Sequence, residues 1–259
     1  MKKFLAISMA AVMLFGLCSC NKDKDTDEGA ESSAVSEETA ADKSEGVMDH
    51  AAYVDAALDS EVVIEAYVQD TQSWWDDQIT VYLQDQDGAY FVYNMACSEE
   101  DAALLVPGQL IKVTGYKSEW SGEVEIIDAT FEIEDGSWTA EPADVTDLLG
   151  TADLESHQNE FVSFKDLTIE PSIDADGNEV AFLYNWDGSG AEGTDSDLYF
   201  NASVNGQTYT FVIEYYLRNE TTDAYQAVQG LNIGDTVDLE GFLYWYEGAQ
   251  PHITSVTVK

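Results

Sequence analysis

The stretch VPGQLIKVTGYKSEWSGEVEII, residues 106–127, decides the fold, because its pattern occurs again as NIGDTVDLEGFLYWYEGAQPHI, residues 232–253. The glycines are Gly108, Gly115 and Gly122 in the first copy and Gly234, Gly241 and Gly248 in the second. In both copies they are spaced seven and seven residues apart. An alternating apolar segment between the first two glycines predicts a strand, and an aromatic-rich turn and another strand follow. The chain is therefore predicted to contain two copies of one β-rich domain.

The segments before each copy complete the two domains. The predicted strands are residues 61–68, 79–83 and 89–95 before the first copy, and residues 160–169, 198–204 and 207–215 before the second. In each domain the second and third strands form a hairpin around an Asp-Gly or Asn-Gly turn. Ser98, followed by three acidic residues, predicts a capped short helix in the first domain. Thr221 or Thr222 is predicted to cap the equivalent helix in the second.

This order, with a helix between the third and fourth strands, resembles the OB-fold, a five-stranded Greek-key barrel. The resemblance implies an all-β fold class with one short helix per domain, arranged as two tandem five-stranded OB-fold-like barrels. The predicted boundaries are residues 49–135 for the first domain, 136–150 for a connector and 151–259 for the second domain, which carries an inserted loop at 171–197. A tandem β-sandwich is the alternative, because short alternating strands also fit that architecture.

The first twenty residues predict export. Two lysines precede an apolar run, residues 4–17, that is too short to span a bilayer, and the run ends in Leu-Cys-Ser-Cys. This ending resembles the lipobox of bacterial lipoproteins, which implies cleavage before Cys20 and a palmitate-type lipid anchor on its sulfur. An ordinary signal peptide is the alternative. Residues 21–48 are acidic, contain no aromatic residue and are predicted to be a disordered linker. The protein is thus expected to be extracytoplasmic and lipid-anchored to a bacterial membrane.

The charge of the chain limits its partners. It contains 51 acidic residues against 10 lysines and arginines, which gives a net charge of −41. Nucleic-acid binding depends on basic side chains that displace the counterions of the phosphates, so nucleic acid is an unfavourable partner. An anionic membrane surface repels such a chain as well, so membrane contact is expected only through the lipid anchor.

The candidate ligand-binding residues are aromatic. OB-folds commonly bind ligands on the face of the second and third strands, between the loops that join strands one to two and four to five. The resemblance implies that these ligand-binding residues are Trp74, Trp75, Tyr82 and Trp120 in the first domain and Trp186, Tyr244, Trp245 and Tyr246 in the second. Aromatic rings stack on bases or sugar faces, and the negative charge argues against bases. A neutral carbohydrate or a peptide is therefore the expected ligand, and the alternative is that these rings cap the barrel interiors.

The two copies of the repeated block differ between their second and third glycines. The first copy reads YKSEWS there and the second reads FLYWYE. If each barrel forms a binding site of its own, the two sites are expected to differ, because the copies share their glycine spacing but not the residues between the second and third glycines.

The inserted loop contains an acidic run that resembles the start of a calcium-binding loop. The candidate metal ligands are Asp174, Asp176, Asn178 and Glu179, and hard oxygen ligands suit Ca²⁺. The glycine falls at the fourth position rather than the sixth, and aspartate, asparagine and glycine are ordinary turn residues. We therefore expect no cofactor, and at most weak Ca²⁺ binding.

Signs of catalysis are sparse in the sequence. The three histidines lie apart from one another, outside any metal-binding spacing. The carboxylates Glu119, Glu123 and Glu125 form a cluster on the first repeated block, but in so acidic a chain they are expected to be solvated. The expected function is therefore a non-enzymatic binding lipoprotein. The alternatives are an acidic protein-interaction module of the cell envelope and, by fold analogy alone, a single-stranded nucleic-acid binder.

Overall fold

The computed structural model describes residues 43–259. Alternating apolar residues form the strands of its first barrel. The strands of this barrel are β1 (Glu61–Thr71), β2 (Gln78–Gln84), β3 (Ala89–Ala96), β4 (Gln109–Trp120) and β5 (Glu123–Ser137). They close in the order β1-β2-β3-β5-β4, with β3 and β5 parallel. Val81 and Leu83 of β2 and Val92 of β3 point into the core. Their neighbours Tyr82 and Phe91 point outward, because successive side chains of a strand face opposite sides.

The second barrel repeats this topology. Its strands are β7 (Phe161–Glu170), β11 (Leu198–Val204), β12 (Gln207–Ile213), β13 (Thr236–Phe242) and β14 (His252–Val258). They close in the order β7-β11-β12-β14-β13. The short strands that accompany it are β6 (Ala143–Asp144), β8 (Ser172–Ile173), β9 (Glu179–Val180) and β10 (Phe182–Tyr184). The 3₁₀ helices Thr146–Leu148 and Ala152–His157 lie in the connection. The predicted pair of five-stranded OB-fold barrels is confirmed, and the sandwich alternative is excluded.

Both predicted helices lie between the third and fourth strands of their barrels. They are α2 (Glu99–Ala102) and α3 (Asp223–Gln229). The Ser98 side chain accepts the N–H of Asp101, and the Thr222 side chain accepts the N–H of Tyr225, so Thr222 rather than Thr221 is the cap of α3.

The first barrel has one helix more than the sequence predicted. Helix α1 (His50–Asp55) places the buried Tyr53 over one end of the barrel. The Lys117 ammonium group donates hydrogen bonds to the carbonyl oxygens of Tyr53, Val54 and Ala56, which satisfies the end of the helix. The expectation of one short helix per domain therefore holds only for the second barrel.

Residues 43–48, which the composition placed in the linker, contact the first barrel. The Lys43 ammonium group pairs with the Asp85 carboxylate, and the Met48 N–H donates to the Val63 carbonyl at 2.8 Å. The predicted signal peptide, the predicted anchor Cys20 and residues 21–42 lie outside the described residues. Across residues 43–259, no helix combines the length and the apolar composition that a membrane crossing requires.

The repeated glycines are explained by backbone geometry. Gly108 and Gly234 share a φ of +91°, a left-handed conformation that favours glycine. Gly115 and Gly241 lie where the pairing of the fourth and fifth strands changes register in each barrel. A Cβ at Gly241 would lie 2.2 Å from the carbonyl oxygen of His252, so the close approach of the two strands requires glycine.

The two barrels share a third apolar cluster besides their own cores. It consists of Tyr82 and Phe91 from the first barrel and Leu217 and Phe242 from the second. The rings of Tyr82 and Phe242 stack with centroids 4.4 Å apart, and the Tyr82 hydroxyl lies 2.7 Å from Nδ1 of His252. The described residues consequently form one compact unit.

Candidate ligand-binding cleft

The two copies of the repeated block contact each other at their tips. The Glu247 N–H donates to the Ser121 carbonyl at 2.7 Å, and the Trp245 N–H donates to Oε2 of Glu123 at 2.8 Å. The Trp245 ring packs so closely on Gly122 that a Cβ there would lie 2.8 Å from it. The loops that join strands four and five therefore dock on each other instead of forming two separate sites.

A cleft of about 1080 Å³ opens beside this contact, between the two barrels. Its aromatic lining consists of Trp75, Phe91, Tyr93 and Trp120 from the first barrel and Trp186, Tyr199, Tyr216, Tyr244 and Tyr246 from the second. Trp75, Trp120 and Trp186 are 62%, 61% and 75% exposed, so their rings are available to a ligand. Side chains from two barrels thus form one site.

Left-handed turns hold two of these tryptophans at the cleft. Trp75 precedes Asp76 and Asp77, which have φ values of 50° and 59°, and two backbone hydrogen bonds between Trp75 and Gln78 close the turn. Trp120 precedes the left-handed pair Ser121 and Gly122 in the same way. Because such a turn reverses the chain within two residues, it places the preceding side chain at the tip of a hairpin.

Five of the eight predicted ligand-binding residues line the cleft. They are Trp75, Trp120, Trp186, Tyr244 and Tyr246. Trp74 packs against the core of the first barrel, and its indole N–H donates to the Cys97 carbonyl at 2.8 Å. Trp245 is half-buried on the second core, as the capping alternative describes. Tyr82 is 1% exposed in the contact between the barrels, so it is inaccessible to a ligand.

The cleft also contains residues that the sequence pattern did not indicate. Tyr93 follows Phe91 on the outward face of β3, so strand alternation was a sufficient signal for it. Tyr199, Tyr216 and Glu214 reach the cleft only because the second barrel docks on the first, and no local pattern reports that docking.

Acidic side chains in the cleft and in the barrel contact beside it are buried. Glu123 and Glu125 are buried, and the expectation that they are solvated is wrong, because the second barrel covers this side of β5. Burial raises the pKa of Glu125 to about 6. The pKa of Glu214 rises to about 7, first through burial and then through the neighbouring Asp197 carboxylate. Burial lowers the pKa of His252 to about 3, so this ring is neutral at physiological pH.

The lining is polar as well as aromatic. Gln72, Gln78, Asn94 and Gln250 present amide groups to the cleft. Amides both donate and accept hydrogen bonds, so they match hydroxyl groups without requiring a charge. Within residues 43–259, no lysine or arginine lines the cleft. The arrangement therefore offers flat apolar faces, amides and carboxylates.

The acidic run of the inserted loop forms a turn. The Asp174 carboxylate accepts hydrogen bonds from the backbone N–H groups of Asp176 and Asn178 at 2.9 and 2.8 Å. These bonds hold the pKa of Asp174 below its usual range. Within residues 43–259, no cluster of three or more histidine, cysteine, aspartate or glutamate side chains is arranged to hold a metal ion. The Asp174, Asp176, Asn178 and Glu179 set thus has turn geometry, and its affinity for Ca²⁺ stays a prediction.

The class that the fold defines is a protein of two tandem OB-fold barrels. No protein-family model matches the chain, and no curated protein is significantly similar to it. Among solved structures, the chain is similar to the Ifi202 HINa domain in complex with 20-bp dsDNA, at 10% identity and a TM-score of 0.34 over 77% of this chain and 98% of that one. The p204 HINb domain has 11% identity and a TM-score of 0.33 over 79% and 100% of the two chains.

A replication protein A heterotrimer bound to ssDNA is also similar, at 11% identity and a TM-score of 0.31 over 77% of this chain and 49% of that one. All three TM-scores lie below 0.5, so the similarity carries no argument about the ligand.

Proposed function

We propose that the protein is a non-enzymatic carbohydrate-binding lipoprotein and that the cleft between its barrels is the binding site. The observation that carries the proposal is the convergence of Trp75, Trp120 and Trp186 on one cleft, from three different loops, with most of their surface exposed. Exposed apolar surface gathered in one groove with a polar rim marks a binding site, and the flat faces of aromatic rings stack on the apolar faces of sugars.

The polar lining favours a sugar over a nucleic acid as the ligand. Glu125, Glu214 and Glu247 line the cleft, and carboxylates repel phosphates. Amide groups beside stacked rings instead suit sugar hydroxyls. A single-stranded DNA oligonucleotide is therefore expected not to be retained, even at low salt.

We also propose that Cys20 carries a lipid that anchors the protein on the outer side of a bacterial membrane. The Leu-Cys-Ser-Cys sequence after a short apolar run supports this. The Cys20→Ser variant is expected to lose metabolic labelling with an alkynyl fatty acid and to leave the membrane fraction. Unchanged labelling of that variant would remove the proposal.

Replacing a cleft tryptophan is expected to weaken carbohydrate binding strongly. In Trp75→Ala, Trp120→Ala or Trp186→Ala, the ligand loses one stacking face, and the dissociation constant is expected to rise about tenfold or more. Because these side chains are exposed, unfolding free energies should stay within about 0.5 kcal/mol of the parent value. A glycan array identifies the ligand, and calorimetric titration of each variant measures the loss.

Trp138→Ala is the matched control for these variants. Trp138 packs on Tyr67 with ring centroids 5.7 Å apart and does not line the cleft, so its removal should leave affinity unchanged. Equal carbohydrate binding by the parent and by a variant that combines Trp75→Ala, Trp120→Ala and Trp186→Ala would contradict the proposed site. Absence of glycan binding together with a dominant cross-linked protein on intact cells would favour the protein-interaction alternative.

A further inference from the structure

Glu125 stands out among the cleft residues because it is 92% buried and has no partner within the described part of the chain. The residue is 8% exposed, and no described group donates a hydrogen bond to its carboxylate or forms an ion pair with it. Its oxygens are nevertheless not sealed in the core, since the side chain lines the cleft. A buried carboxylate without a partner is costly, so a ligand that supplies one gains affinity there.

The strand register directs Glu125 at the cleft. Glu125 of β5 pairs with Phe91 of β3, and paired residues place their side chains on the same face of a sheet. Phe91 belongs to the cluster between the barrels, so Glu125 also points toward the second barrel. Tyr244 packs edge-on against Phe91 with ring centroids 5.3 Å apart. Burial is the main cause of the raised pKa of the Tyr244 hydroxyl, and the nearby Glu123 and Glu125 carboxyl groups raise it further. The carboxylate therefore lies beside an aromatic ring.

The other charges of the lining have the same sign. Glu214 and Glu247 are carboxylates, and the cleft has no lysine or arginine among the described residues. Oε2 of Glu214 accepts the Leu217 N–H at 2.7 Å, so that residue has a protein partner while Glu125 has none. Tryptophan and tyrosine faces attract cations through their quadrupoles. Rings and carboxylates together thus favour a positively charged ligand group.

We propose that the cleft recognises a protonated amine on its carbohydrate ligand, and that this amine binds the Glu125 carboxylate between the aromatic rings. The ligand class is an oligosaccharide with a free amino sugar. This inference rests on the proposed carbohydrate function and adds the group that determines specificity. Glu125 accepts a charge-assisted hydrogen bond, which is about twice as strong as a neutral one.

The test compares two oligosaccharides of equal length that differ only in the amine. Glucosamine trimer carries free amines, and N-acetylglucosamine trimer is neutral. Calorimetric titration of the full chain is expected to show about tenfold tighter binding of the amine form. In Glu125→Gln that preference should disappear, so that the two trimers bind about equally, while the affinity for the acetylated form stays the same. Glu119→Gln, an exposed position on β4 outside the cleft, should keep the parent preference.

Several outcomes would overturn the inference while leaving carbohydrate binding intact. Equal or tighter binding of the acetylated trimer by the parent protein is one. A Glu125→Gln variant that loses affinity for both trimers by the same factor is another, because that result indicates a structural role. A lysine peptide, titrated under the same conditions, that binds more tightly than the glucosamine trimer would overturn the ligand class. Failure of every glycan to bind would remove the proposed function itself, and the inference with it.

Discussion

Replacing Tyr82 with alanine is expected to lower the free energy of unfolding by about 3–5 kcal/mol, the usual cost of truncating a large buried aromatic side chain. Tyr82 is 1% exposed, stacks on Phe242 of the second barrel and lies 5.1 Å from the Phe91 ring. Its removal leaves a cavity in the small cluster that joins the barrels, and it leaves Nδ1 of His252 without its hydrogen bond. Chemical denaturation measures the change.

Two further variants separate packing from hydrogen bonding. Tyr82→Phe keeps the stacked ring but removes the hydroxyl, so its cost is expected to be about 1–2 kcal/mol. Tyr93 lies on the outward face of β3, as Phe91 does, but its side chain is exposed in the cleft. The Tyr93→Ala variant should therefore lose no more than about 1 kcal/mol of unfolding free energy. If Tyr82→Ala were no less stable than Tyr93→Ala, the barrel contact would not be a structural element of the fold.

Raising the pH from about 6.5 to 8.5 is expected to destabilise the protein by about 2 kcal/mol through Glu123. Burial raises the pKa of this carboxyl from 4.5 to about 8. Over this range the folded state therefore holds a proton that the unfolded state has released, and stability falls as the pH rises. Below pH 6.5 the depressed pKa of His252 acts in the opposite direction, so the effect is clearest above that pH.

Glu123→Gln is expected to remove this pH dependence. Oε2 of Glu123 accepts the Trp245 N–H across the barrel contact, while Oε1 is buried without a partner. Glutamine keeps the acceptor and carries no charge, so the variant should be the more stable protein at pH 8.5. Denaturant titrations at each pH measure the free energies of unfolding of the parent, of Glu123→Gln and of the exposed control Glu119→Gln. A parent-like pH slope in Glu123→Gln would show that Glu123 is ionised in the folded state.

The barrels could be predicted from the sequence because their determinants are local. The spacing of the repeated glycines reports the turns and the close strand approach at Gly115 and Gly241, and strand alternation reports the cores. The Ser98 and threonine caps placed the helices between the correct strands. Helix α1 was missed because its short sequence, HAAYVD, lacks a strong periodic pattern and its end is satisfied by the distant Lys117.

The cleft could be predicted only in part, because docking of the barrels creates it. The loop tryptophans were identifiable from their positions, but the sequence could not distinguish the exposed Trp75 from its half-buried neighbour Trp74, which folds back on Cys97. Nor could it show that Glu125 is buried, since an acid on an outward strand face is solvated unless another domain covers it. For the same reason, the sequence could not show that Tyr82 is buried in the cluster between the barrels.

Residue-resolved oxidation of tryptophan, with and without a saturating glycan, tests the central claim that the cleft between the barrels is the binding site. Mass spectrometry locates each oxidised ring. In the free protein, Trp75, Trp120 and Trp186 are expected to react rapidly because they are exposed. At saturation all three should be protected, while the reactivity of Trp138, outside the cleft, stays the same. Undiminished oxidation of the three cleft tryptophans in the glycan-saturated protein would contradict the account.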